Sequence, residues 1–164
     1  MDALFAYGTL LFPPVLHAVV GRVPRSIAAT LDGFARRRVA GELFPAIVEA
    51  PGERVAGVLY LTLDDRAWRR LDAFEGDLYE RRSVVVTPAS RFLPSDLEAP
   101  GAGEGVAIPV RGDERDERRA VSALTYVVRR DVRHRLSAEL WDPEVFARDQ
   151  LAAFAARLAG GIRD

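Results

Sequence analysis

Short apolar runs, interrupted by glycine, proline and charged residues, dominate the chain and predict β-strands. Residues 3–7 form an apolar run with aromatics that Gly8 ends, which is typical of a buried strand. Residues 54–63 are largely apolar on both alternating faces, as in the wall of a closed or covered sheet. A turn is predicted at 51–53. Further strands are predicted over residues 34–41, 45–50, 81–87 and 123–130, with a weaker candidate at 106–110.

Helical spacing and helix-ending residues predict three helices, over residues 15–20, 66–75 and about 142–159. Pro13 and its neighbour suit the start of the first helix, and Gly21 ends it. An aspartate at position 64 or 65 caps the second helix, and Gly76 ends it. Asp142 caps the third. Strands that follow one another, with one helix between them and helices at the end, predict an α+β domain with a mixed, curved sheet.

The length of 164 residues fits one domain over 1–164. Its most unusual part is residues 88–120, which are rich in proline, glycine and charge and predict a long loop insertion. The charged segment 113–119 within it is expected to lie on the surface, although an arginine-lined lid over an acidic substrate is an alternative.

The amino-acid composition excludes several kinds of catalytic group and metal site. Cysteine is absent, every basic residue is arginine, and there are two histidines, His17 and His134. Thiol nucleophiles, Schiff-base lysines and the usual zinc sites are therefore excluded. No serine has a histidine partner at a suggestive spacing, and no phosphate-binding glycine motif is present. We expect neither a metal nor a cofactor.

Charge and hydropathy bear on partners and location. The formal net charge of −1 argues against a protein that binds nucleic acid by bulk electrostatics. No apolar run approaches the ~20 residues of a membrane helix. The first residues have an apolar stretch without a basic leader or a small-residue cleavage site, so we expect a cytoplasmic protein.

Glu75 is the strongest candidate for chemistry. Trp68, Leu71 and Glu75 share one helix face, which must be buried because arginines occupy the other faces. Burial and the nearby helix C-terminus both raise the pKa of such a carboxyl, as general acid–base catalysis requires. The alternative is a frayed last turn with Glu75 in solvent.

The segment Tyr7-Gly8-Thr9-Leu10 follows a buried strand and leads into the first helix. Gly8 allows a ligand or a turn to approach the backbone closely, and free backbone amides there can hold a carboxylate or an oxyanion. An ordinary strand end is the alternative. Tyr126, on the last strand, is a candidate pocket wall.

Several motifs occur together in a distinctive order: FAYGTL at 5–10, GELFPAI at 41–47, VAGVLYLT at 55–62, LDAFEGDLYERRSVVV at 71–86 and ALTYV at 123–127. In this order and spacing the chain resembles the gamma-glutamylcyclotransferase-like family, which includes the gamma-glutamylamine cyclotransferases and the plant avirulence-induced proteins. The resemblance covers roughly residues 3–87 and 121–128, and more loosely the helix after Trp141.

The resemblance implies a small mixed β-barrel of about six strands with flanking helices and a pocket at one barrel end. It implies conversion of a gamma-glutamyl compound to 5-oxoproline plus an amine or amino acid, without cofactor or metal, with Glu75 as the catalytic acid–base. The remaining residues that it implies at the site are the loop Tyr7, Gly8, Thr9 and Leu10, the neighbours Phe44, Pro45 and Tyr79, and the wall residue Tyr126.

Two other roles stay open from the sequence. The same pocket would suit a non-catalytic module that binds a small carboxylate metabolite. Residues 88–120 exceed the brief turn expected in short family members, and they would either cover the pocket mouth or carry an interaction surface. The leaving group, the oligomeric state and hydrolysis of a related amide are likewise left open.

Overall fold

The computed structural model describes residues 2–89 and 120–161. Its five strands are β1 Asp2–Ala6, β2 Ser26–Arg38, β3 Pro45–Leu63, β4 Tyr79–Pro88 and β5 Val121–Val128. Its α-helices are α1 Pro13–Val20, α2 Asp65–Glu75, α3 Pro143–Asp149 and α4 Leu151–Gly161, and short 3₁₀ turns include Thr9–Leu11 and Gly76–Leu78. The predicted strand at 106–110 and most of the predicted insertion at 88–120 lie outside the described residues.

The strands close into a barrel in the order β1-β3-β2-β4-β5. Neighbouring strands are antiparallel except β1 and β5, which run parallel and meet at Leu4 and Leu124. The predicted α+β fold, a small mixed barrel with flanking helices, is confirmed. Among the described residues no helix is both long and apolar enough to cross a membrane.

The barrel has five described strands, where about six were predicted, because β3 is continuous from Pro45 to Leu63. The sequence indicated two strands with a turn at 51–53. Locally that turn exists as an irregularity within one strand: Asp32 pairs with Arg54 but Phe34 pairs with Glu49. Residues 50–53 therefore lie opposite Gly33, and both Gly33 and Gly52 have positive φ.

Strand β2 begins at Ser26, well before the predicted start at residue 34. Ile27, Ala29 and Leu31 are buried at alternate positions, and more exposed residues stand between them. The predicted C-terminal helix is two helices, since Gln150 leaves the helical conformation with φ −134 and ψ −24. The break directs Leu151, Phe154 and Leu158 of α4 toward the helix-covered side of the barrel.

Two apolar layers hold the fold together. Buried side chains from all five strands fill one cluster, among them Phe5, Ile47 and Val127. A second cluster joins the outer side of the strands to helices α1 and α2, with partly buried residues of α4 against it. Successive β1 residues alternate between the two layers, so this short strand is buried on both faces.

Gly57 of β3 allows β1 to approach closely. A Cβ atom at this position would lie 2.3 Å from the carbonyl oxygen of Ala6 and 2.7 Å from Cζ of Phe5. Real Cβ atoms do not occur at such distances from backbone atoms, so only glycine fits here. This contact fixes the end of β1, where the chain enters the Tyr7–Leu10 loop.

Candidate active site

One pocket lies where β1 ends, and its volume counted to the open mouth is about 630 Å³. All nine residues that the sequence nominated line it: Tyr7, Gly8, Thr9, Leu10, Phe44, Pro45, Glu75, Tyr79 and Tyr126. They come from the β1 end, the segment before and at the start of β3, the end of α2, the start of β4 and the middle of β5. The closed barrel brings these distant segments together.

The Tyr7–Leu10 loop is held from two sides. A Cβ atom at Gly8 would lie 2.9 Å from Cγ of Pro45, so the loop backbone packs directly on the proline ring. On the other side the buried hydroxyl of Tyr60 donates to the carbonyl oxygens of Leu10 and Leu11, each at 3.0 Å. These contacts fix the loop with little freedom to move.

The amides of this loop are available to a ligand. Leu11 N–H donates to the Gly8 carbonyl at 2.9 Å, which closes the 3₁₀ turn. The amides of Gly8, Thr9 and Leu10 donate to no backbone carbonyl within residues 2–89 and 120–161. Unsatisfied amides are usual at a helix start, and the three residues that carry these amides line the pocket. The loop can therefore bind a carboxylate or a developing oxyanion.

Glu75 occupies the last position of α2. Asp64 begins the helix by accepting a hydrogen bond from the Ala67 amide at 2.8 Å, and Trp68 and Leu71 bury one face. Glu75 keeps helical backbone angles, φ −72 and ψ −33, and its half-buried side chain lines the pocket. The structure does not show the frayed last turn that the sequence left open.

The carboxyl group of Glu75 is unusual in its surroundings. Burial raises its pKa from the ordinary 4.5 to about 8. Burial is the only cause of this shift, and within the described part of the chain the carboxyl has neither a hydrogen bond nor an arginine within ion-pair distance. A carboxyl with a raised pKa and free oxygens is able both to accept and to donate a proton near neutral pH.

Three tyrosines surround this carboxyl, and their hydroxyls donate to protein acceptors. Tyr7 donates to the Tyr126 carbonyl at 2.5 Å, and Tyr79 to the Pro45 carbonyl at 2.7 Å. Tyr126 donates to Oδ1 of Asp72 at 2.7 Å. Burial raises the pKa of each of the three, and the nearby Glu75 raises it further. These phenols therefore stay neutral and act as fixed walls of the pocket.

Phe74 and Phe154 also line the pocket, and sequence reasoning did not nominate them. Phe74 directly precedes Glu75 in the sequence, and this proximity could have identified it as a site residue. Phe154 carried no such signal, because it lies in the predicted C-terminal helix, outside the motifs that carry the resemblance. Its place in the wall depends on how α4 packs against the barrel.

No positively charged side chain is found in the described lining of the pocket. Arginine and histidine are absent from its described lining, and neither His17 nor His134 reaches it. Across residues 2–89 and 120–161, no three acidic or histidine side chains are grouped to hold a metal ion. The polar groups described at the site are the Glu75 carboxyl, the phenols, the Thr9 hydroxyl and the backbone.

Comparison with known proteins finds the same family that the order of the motifs indicated. The family model described as gamma-glutamyl cyclotransferase, AIG2-like, matches residues 4–99. AIG2-like protein D of Arabidopsis thaliana is 35% identical over 86 residues, which cover 52% of this chain and 57% of that protein. AIG2-like protein A of the same plant is 37% identical over 83 residues, covering 51% and 50%. The chain thus spans about half the length of the curated relatives that it matches.

Solved structures share the fold. A gamma-glutamyl cyclotransferase superposes with a TM-score of 0.59 at 15% identity, covering 97% of this chain and 80% of that chain. A yeast gamma-glutamyl cyclotransferase specific to glutathione gives 0.56 at 16% identity, covering 98% and 95%. The resemblance seen in the sequence is confirmed: the chain belongs to the gamma-glutamyl cyclotransferase, AIG2-like family.

Proposed function

We propose that the protein is a gamma-glutamyl cyclotransferase-type enzyme that converts a small gamma-glutamyl compound to 5-oxoproline and releases an amine or amino acid. One observation carries the proposal: the Glu75 carboxyl, with its pKa raised to about 8, lines the same pocket as the loop whose amides are unsatisfied. Family membership supports the same reaction class.

The pocket suits a ring closure. The substrate carries its own nucleophile, the α-amine, so the protein has to fold the glutamyl chain until this nitrogen faces the γ-carbonyl. Such orientation lowers the barrier by several kcal/mol, and by about 7 to 11 kcal/mol in the best intramolecular cases.

Glu75 moves protons in this reaction. The arriving α-ammonium favours the charged form of the carboxyl, and Glu75 then accepts a proton from that nitrogen. The bond from the α-nitrogen to the γ-carbon forms, and the bond from the γ-carbon to the leaving nitrogen breaks. Two protons leave the α-nitrogen and two reach the leaving nitrogen, so the balance needs neither water nor a cofactor. Glu75 acts first as base and then as acid.

The Tyr7–Leu10 loop binds negative charge on the substrate. Amides with no backbone acceptor hold either the α-carboxylate or the oxyanion that develops on the γ-carbonyl oxygen. The neutral phenols and the phenylalanines exclude water around the reacting atoms, which strengthens these hydrogen bonds.

The test is 5-oxoproline release, measured by mass spectrometry, from a panel of gamma-glutamyl amines and dipeptides. We expect Glu75→Gln, which keeps the shape but cannot shuttle a proton, to lose about 10²- to 10⁴-fold in rate. Asp77→Asn is the matched control, because Asp77 is an exposed carboxyl just beyond α2. Wild-type turnover in Glu75→Gln would contradict the mechanism. Ligand-induced stabilisation of the wild type with no product would point instead to a binding module.

A further inference from the structure

The guanidinium group of Arg36 reaches the back of the candidate site from β2. Its Nη1 donates to the carbonyl oxygen of Tyr7 at 2.9 Å. Arg36 does not belong to the described lining of the pocket; together with Trp141 it lines a separate groove. Sequence reasoning assigned no role to this arginine, which is one of three in a row on a predicted strand.

Arg36 is a partly buried cation with a carboxylate, Asp142, nearby but not in contact with it. Within residues 2–89 and 120–161 no carboxylate lies within ion-pair distance of it, whereas its neighbour Arg37 pairs with Glu53 at 3.0 Å. Burial lowers the pKa of Arg36, and the nearby Asp142 carboxylate offsets only part of this effect. The guanidinium carbon lies 5.4 Å from the ring centre of Trp141. Removing such a charge from water costs free energy, so its retention needs a reason.

The bonded carbonyl supplies that reason. A peptide unit is planar and trans, so the Tyr7 carbonyl and the Gly8 N–H point in opposite directions. Arg36, which is not among the described lining residues, donates to this carbonyl. The Gly8 N–H, which has no described backbone acceptor, therefore points away from Arg36, and Gly8 itself lines the pocket. A cation on the carbonyl also polarises the amide and makes its N–H a stronger donor.

We infer that Arg36 is a positioning residue, which fixes the Tyr7–Gly8 peptide so that the Gly8 amide faces the substrate. This inference rests on the proposed function for its effect on turnover, but not for its effect on the loop. Trp141 completes the support, because the ring that lies against Arg36 is itself anchored by a hydrogen bond from Nε1 to the Leu43 carbonyl at 2.8 Å. The C-terminal part of the chain thus acts on the loop through Arg36.

The test compares Arg36→Gln, Arg36→Lys and the control Arg54→Gln. Arg54 lines the same groove but pairs with Asp32 at 2.5 Å and does not contact the loop. We expect Arg36→Gln to lose at least about tenfold in kcat/KM per folded molecule, a size typical of a weakened anion-binding donor. Arg36→Lys restores part of the loss, and Arg54→Gln keeps wild-type activity.

A second readout is independent of turnover. Hydrogen exchange at the Leu11 amide, which donates to the Gly8 carbonyl, reports whether the loop stays closed. We expect this amide to exchange faster in Arg36→Gln and unchanged in Arg54→Gln, with strand amides of β3 protected equally in all variants. Wild-type kcat/KM together with wild-type exchange in a folded Arg36→Gln would overturn the inference. Absence of turnover in the wild type would overturn the proposed function alone, because the exchange result still decides the role of Arg36.

Discussion

At the scale of single residues, the chemistry depends on one carboxyl placed among phenols and aromatic rings. The spacing of Trp68, Leu71 and Glu75 was enough to predict that this carboxyl shares a face with buried residues. Its lack of an arginine partner could not be predicted, because 23 arginines are distributed along the chain and any of them could have reached it. Arg81 of the following strand pairs with Asp72 of the same helix, at 3.1 Å.

The raised pKa of Glu75 predicts an effect on stability. The unfolded chain releases this proton near the ordinary pKa of 4.5, and the folded protein holds it until about pH 8. Between these values the folded state binds more protons, so rising pH destabilises the wild type. The Glu75→Gln variant has no proton to release at this position, so it does not lose stability in this way as the pH rises. We expect it to be more stable than wild type by about 1 to 2 kcal/mol at pH 8.5, allowing for solvent screening of a half-buried group, and equal at pH 4.

Urea unfolding of both proteins at a series of pH values measures this difference. Asp77→Asn serves as control, and its stability relative to wild type should not follow the same pH course. Parallel stability curves for wild type and Glu75→Gln would show that the folded protein does not hold the Glu75 proton.

At the scale of elements, local signals predicted some boundaries well and others poorly. Helix α2 begins at its aspartate cap and ends before Gly76 as the sequence indicated, because capping is a local interaction. The continuity of β3 could not be predicted from Pro51-Gly52, which ordinarily indicates a turn. Pairing with β2 on both sides of the irregularity keeps the strand together, and that pairing is a long-range contact.

The close approach of β1 to β3 at Gly57 leads to a prediction about the stability of the barrel. Alanine there would place Cβ 2.3 Å from the Ala6 carbonyl oxygen, so β1 would have to move away from its partner. We expect Gly57→Ala to lose about 2 to 4 kcal/mol of stability, a size typical of overpacking against the backbone. Gly160→Ala is the matched control, because nothing lies within 4 Å of a Cβ atom there and alanine favours the α4 helix.

Denaturant midpoints of the two glycine variants decide this point. A Gly57→Ala protein as stable as wild type would mean that β1 does not pack on β3 as closely as described. The consequence reaches the site, since the loop that begins at Tyr7 takes its position from the end of β1.

At the scale of the whole molecule, the site exists only because the barrel closes. Its lining comes from segments as distant in sequence as Tyr7 and Tyr126, joined by a hydrogen bond between the Tyr7 hydroxyl and the Tyr126 carbonyl. The family resemblance nominated both, whereas no local pattern could have paired them. Phe154 shows the limit of that approach, since it lies outside the motifs that carry the resemblance and enters the wall through the packing of α4.

The matched and unmatched parts of the chain divide the site between them. Residues 4–99 supply Glu75 and the Tyr7–Leu10 loop, while Tyr126, Phe154 and the Trp141 ring beside Arg36 lie outside that match. A role of residues 88–120 in covering the mouth stays a prediction.

The central claim is tested most directly by following isotope-labelled atoms of the substrate and of water into the product. A gamma-glutamyl amide that carries ¹⁵N at its α-amine is turned over in H₂¹⁸O, and the product is identified by mass. Ring closure predicts 5-oxoproline that keeps the ¹⁵N label and contains no ¹⁸O, because the γ-carbonyl oxygen is retained and water does not take part. Glutamate with one ¹⁸O atom would show that the pocket hydrolyses its substrate and would contradict the account.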